Sequence, residues 1–97
     1  MNRVSLTGSF SRPDALRYSP SGMPILEFKI FHASTQTEGG VARKVELEID
    51  CLAVADVATA LSKLEQGPGI SLQGFLARKN AKSRELVFHT THFELTG

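Results

Sequence analysis

One stretch of this chain, residues 54–64, repeats its apolar residues with a helical period, while the segments on both sides alternate with a period of two. Val54, Val57, Ala58, Leu61 and Leu64 fall at i, i+3, i+4, i+7 and i+10, a single stripe along one helix. The clearest alternation comes just before it. Val45, Leu47, Ile49 and Cys51 point one way and Lys44, Glu46, Glu48 and Asp50 the other, the pattern of a half-buried strand. Upstream, residues 3–10 set Val4, Leu6 and Phe10 against Arg3, Ser5 and Thr7. Residues 25–32 set Leu26, Phe28 and Ile30 against Glu27, Lys29 and Phe31. Downstream, Ile70, Leu72 and Leu76 are in phase over residues 70–78, and residues 86–95 form a last strand.

Breaks separate these segments. Residues 11–14 interrupt the first strand, after which Leu16 and Tyr18 continue the same winding run. Residues 19–22, Ser-Pro-Ser-Gly, form a turn in which Pro presets one dihedral and Gly tolerates positive φ. The polar residues 33–40 read as a long loop closed by Gly39 and Gly40, residues 67–69 end the helix, and residues 78–84 form a hairpin loop. Gly8 and Gly74 interrupt apolar rows, as glycines do where a strand coils tightly or another backbone comes close. No internal repeat or linker divides residues 1–97, so a single domain is expected. Three strands, a short helix and two more strands predict an all-β chain with one short helix: a five-stranded OB-fold barrel, the helix between strands 3 and 4.

The candidates for chemistry are few. The single cysteine, Cys51, permits no intrachain disulfide and reads as a small core thiol. His89 and His92, three apart on a strand, point to opposite faces, so no metal site is expected. No serine or cysteine sits in a nucleophile motif. Neither glycine cluster precedes the Lys-Ser/Thr pair of a phosphate loop. An enzyme is therefore not expected, and no cofactor is called for. No apolar run approaches the roughly 18 residues of a membrane span. The N-terminal residues lack the apolar stretch of a signal peptide, which leaves a cytoplasmic location as the default expectation.

Charge placement carries more than net charge, because eleven Lys and Arg nearly balance ten Asp and Glu. Arg78, Lys79, Lys82 and Arg84 crowd into residues 78–84 with no acid among them. A cationic hairpin tip beside a barrel face suits a nucleic-acid backbone, since neutralised phosphates release counterions; a solubilising loop has the same composition. Parity leaves Phe31 and Phe75 on outer faces, where aromatics stack on bases for about 1–3 kcal/mol each. The last strand carries both parities, Leu86 and Phe88 against Val87, Phe93 and Leu95. A bulge would reconcile them, and Phe88 is then either core or platform.

NRVSLTG (residues 2–8), RYSPSGMP (17–24) and ISLQGFLA (70–77) closely resemble the bacterial single-stranded-DNA-binding proteins over nearly the whole chain. LEFKIFH (26–32), NAKSRELVFH (80–89) and an end at the last strand, without an acidic-tipped tail, are similar to the primosomal branch of that family. The resemblance implies a homodimer that binds single-stranded DNA in replication restart. Its expected partners are a PriA-like restart helicase and other primosome proteins. It also implies that Lys79, Lys82 and Arg84 form the DNA-contacting loop and that Arg17 is the basic residue before the turn. Two departures stand out: the chain has no Trp, and Glu46 lies near where relatives carry a stacking Trp. With Glu48 and Asp50 on the same face, that surface is expected to repel phosphate. Binding would then rest mainly on the basic loop. Two rivals are a tail-less general single-strand binder and an interaction adaptor that has largely lost DNA binding.

Overall fold

The computed structural model describes residues 1–11, 14–67 and 69–96. In chain order it has β1 (Val4–Ser11), β2 (Arg17–Tyr18), β3 (Pro24–Glu38), β4 (Val41–Val54), α1 (Ala55–Ser62), β5 (Gly69–Arg78) and β6 (Leu86–Leu95). The strands close a barrel in the circuit β1–β5–β6–β4–β3–β1, every pairing antiparallel except β4 with β6. This is the expected five-stranded barrel. Its helix falls between β4 and β5 only because the two-residue β2 raises the strand count.

The inner faces supply the core. Phe10, Leu26, Phe28, Ile30, Ile70, Leu72 and Phe88 are buried with Ala58 and Leu61 of the helix. The Phe10 and Phe28 rings meet at 5.2 Å between centroids, tilted by 56°, a favourable arrangement for two quadrupoles. Cys51 is part of the same core, and burial, with Asp50 nearby, pushes its thiol pKa up to about 12.

Three expectations need correction, and one falls partly outside the described residues. Residues 33–38 are not loop: β3 runs to Glu38 and pairs with β4 as far as Glu38↔Val41. Gly39 and Gly40, at φ 61° and 78°, form the two-residue turn whose twist suits a hairpin. The hairpin's outer end is solvated on both faces, with residues 35–44 all exposed, so no apolar alternation marked it as strand. The helix is also shorter than its stripe. Val54 is exposed and still belongs to β4, the chain turns through positive φ at Ala55 (60°), and Leu64 packs on the core from beyond the last helical turn.

Third, the expected break after β1 includes Arg12 and Pro13, which lie outside the described residues, as does Pro68 of the helix-ending signal. The run resumes at β2, paired with β3 through Arg17↔Ile25 beyond the β1 pairing Ser11↔Lys29. Leu16 is half-buried against the core, but Tyr18 is exposed. Fourth, Phe88 is not a platform: it is fully buried opposite Cys51 and Leu76. The register steps from Gln73↔His92 to Gly74↔Thr90, which leaves Thr91 as the bulged residue. That single insertion shifts the phase of β6, turning Phe88 and Thr90 inward before it and Phe93 inward after it.

Gly74 faces the bulge, where a Cβ would fall on the His89 carbonyl oxygen and crowd the Phe88 ring. Gly8 lets β1 cross beneath the Phe31 carbonyl.

Candidate nucleic-acid interface

Strand pairing lines up Glu27 of β3, Leu52 of β4, His89 of β6 and Phe75 of β5 in one row across the outer wall of the barrel. Lys29 lies opposite Asp50 in the next row, and Val87 opposite Ala77. Against this wall the base of the β5–β6 hairpin contributes Arg78 and Lys79. Together they enclose an open groove of about 440 Å³, lined by Lys29, Leu52, Val87 and His89 and also by the carboxylates of Asp14, Glu27 and Asp50.

The hairpin loop is held by its own polar groups. The Lys79 amide donates to the Glu85 carbonyl at 2.9 Å and the Ser83 amide to the Asn80 carbonyl at 3.2 Å. The Lys82 amide donates to the Asn80 side-chain oxygen at 3.0 Å, and the Glu85 amide to the Ser83 hydroxyl at 3.0 Å. These bonds give the cations a defined backbone to project from. Lys79 also has Glu85 at 3.8 Å. Arg78, Lys82 and Arg84 are exposed and have no carboxylate within ion-pair distance among the described residues. The loop thus keeps most of its positive charge available.

Across the groove, the acidic row of β4 is less repulsive than its sequence suggests. The Lys29 ammonium sits between Glu48 at 3.5 Å and Asp50 at 3.8 Å. Glu46 has no such partner among the described residues. Pairs this exposed contribute little to stability, but they cancel charge where a polyanion would approach.

The predicted site residues divide as follows. Phe75 is 39% exposed and lies flat on His89, with ring centroids 4.9 Å apart and planes within 5°. Phe31 is 47% exposed on β3, opposite Glu48. Arg17 is exposed but its guanidinium is paired with Glu27 at 3.2 Å. Phe88 is in the core. His89, considered in the sequence only as a metal ligand, is the missed residue. Its place beside Phe75 depends on the β5–β6 register, which the bulge conceals from any reading of parity. His92 opens onto a different groove, and among the described residues no three His, Cys, Asp or Glu side chains gather as a metal site.

The groove, its cationic hairpin and its aromatic pair sit on a barrel whose relatives are recognisable. Residues 2–92 match the family described as "Another single-strand binding protein family". Replication restart protein PriB of Nitrosomonas europaea is 36% identical over 88 residues, covering 91% of this chain and 82% of the relative. The chain belongs to the PriB family of single-strand binding proteins. The structure of PriB from Ralstonia solanacearum superposes with a TM-score of 0.91 at 31% identity, covering 100% of this chain and 99% of that one. The single-stranded DNA binding protein from Thermus aquaticus shares the fold, with a TM-score of 0.79 at 23% identity. It is matched over 100% of this chain and 50% of its own. Among the described residues no helix is long and apolar enough to cross a membrane.

Proposed function

We propose that the chain binds single-stranded DNA along the outer wall of the barrel and acts as a non-enzymatic accessory protein of replication restart in the cytoplasm. The observation that carries this reading is the groove itself. Its cationic hairpin leaves Arg78, Lys82 and Arg84 without counterions among the described residues, beside an exposed aromatic pair. The cations hold phosphates, and the Phe75–His89 stack offers one face of its ring pair to a base. Bridging to a PriA-like restart helicase and other primosome proteins extends the reading, supported by the likeness to replication restart protein PriB of Nitrosomonas europaea.

A homodimer fits the same reading. β3 pairs with β1 only from Ser9 to Ser11, so on that side the backbone of Arg3 and Ser5 faces no strand among the described residues. An open edge of this kind takes a second copy in antiparallel register. Sedimentation velocity of the wild type against Ser5→Pro tests the pairing: a dimer that becomes a folded monomer supports it. A wild-type monomer at micromolar concentration refutes it.

The adaptor reading has one observation in its favour, the exposed Glu46 and Glu48 on β4. A salt titration with a labelled oligonucleotide separates the two readings. Saturable binding that loses affinity linearly with the logarithm of salt, with a slope of about −0.7 per phosphate contact, supports DNA binding. Absence of binding at low salt makes the adaptor the better account.

A further inference from the structure

A second groove, of about 400 Å³, shares no lining residue with the first. It exists because α1 packs on β3, β4 and β6, leaving the start of β5 uncovered on that side. Val57, Ala60 and Phe93 give it apolar walls, and Asp56, Glu94 and His92 stand around them. The bulge fixes one side: the Thr91 hydroxyl lies 3.2 Å from the Gln73 carbonyl, to which it donates, and 3.1 Å from the His92 ring.

In the first groove Lys29, Arg78 and Lys79 stand with Asp14, Glu27 and Asp50, whereas the second carries carboxylates alone. No Lys or Arg lines it, and neither Asp56 nor Glu94 has an ion-pair partner among the described residues. A nucleic-acid backbone would be repelled here, whereas a positively charged chain gains from both carboxylates. We propose that this groove docks a cationic peptide segment of a protein partner. One apolar side chain of the segment lies against Val57, Ala60 and Phe93, and flanking Lys or Arg groups meet Asp56 and Glu94. The proposal deepens the bridging part of the functional reading and rests on it, because two grooves with no lining residue in common let DNA and a protein be held at the same time.

The test is a heteronuclear NMR titration of the isotope-labelled full chain with a short peptide alternating Lys and Leu. A peptide alternating Glu and Leu controls for charge. The cationic peptide is expected to shift the amides of residues 56–60, 71–73 and 91–94. The Asp56→Asn, Glu94→Gln double variant, which keeps the side-chain shapes, is expected to weaken it roughly tenfold, as loss of two exposed charge contacts would. Shifts confined to residues 78–89, equal binding by the acidic peptide, or unchanged affinity in the double variant overturns the proposal. So does concentration-dependent broadening of these amides without peptide, which would assign the groove to a second copy. An oligothymidylate added to the same sample keeps the two readings apart. If it binds while the peptide does not, only the docking proposal fails; if it does not bind, the DNA reading fails independently.

Discussion

Phe88 and Phe75 lie on opposite faces of neighbouring strands, and truncating each in turn separates packing from recognition. Phe88 has no exposed surface. Phe88→Ala removes a whole aromatic ring from a closed barrel that cannot collapse around the void, at a cost of about 3–5 kcal/mol. For a domain of this size each kcal/mol moves the melting temperature by about 4–8 °C, so Tm falls by roughly 12–40 °C. Phe88→Leu, which keeps most of the volume, costs about 1 kcal/mol and guards against a variant that does not fold. Phe75 is partly exposed on the outer wall, and Phe75→Ala costs about 1 kcal/mol of stability or less. It removes half of the stack with His89, so affinity for an oligonucleotide falls by about 1–3 kcal/mol, roughly 5- to 150-fold. Urea denaturation and fluorescence anisotropy on the same preparations read both quantities. The reasoning is refuted if Phe88→Leu leaves stability untouched while weakening DNA binding, or if Phe75→Ala lowers stability by several kcal/mol without changing affinity.

Three further substitutions test the fold. Gly74→Ala places a Cβ on the His89 carbonyl oxygen, so urea denaturation should show a loss of about 2 kcal/mol or more, whereas equal stability would deny the close approach at the bulge. Ala55→Gly relieves a non-glycine residue at φ 60° and should raise stability by about 1 kcal/mol; a loss of that size in chemical denaturation would contradict the strained junction. The Cys51 pKa is about 12 in the fold against an ordinary 9.0, so the folded state keeps a proton that the unfolded chain releases. Stability should therefore be unaffected by this group below pH 9 and fall above it, by about 1.4 kcal/mol per pH unit until the folded value is reached. Cys51→Ala should lose that slope in denaturation curves taken across the alkaline range, and an unchanged slope would show that the thiol is not its source.

The sequence revealed the barrel where burial differs between faces. Leu26, Phe28 and Ile30 face a core while Glu27, Lys29 and Phe31 face outward, so their alternation marks a strand in the sequence. The signal vanishes where both faces meet water: nothing buried repeats over residues 33–38, so they read as loop. It is also scrambled where register slips. One extra residue at Thr91 changes the parity of β6, so parity alone leaves Phe88 either core or platform and does not set His89 beside Phe75. The cations of the hairpin were legible from composition. The neutralising role of Lys29 was not, because it depends on which β4 residues pair with it across the hairpin.

The central claim, that the cationic hairpin is the principal DNA contact, is tested most directly by one salt titration. Anisotropy of a labelled single-stranded oligonucleotide would be followed for the wild type and for a Lys79→Ala, Lys82→Ala, Arg84→Ala variant. The account predicts saturable binding by the wild type, much weaker binding by the variant, and a log–log salt slope shallower by about 2 for three lost phosphate contacts. Tight wild-type binding with the same slope and affinity in the variant would place the DNA elsewhere on the barrel and contradict the account.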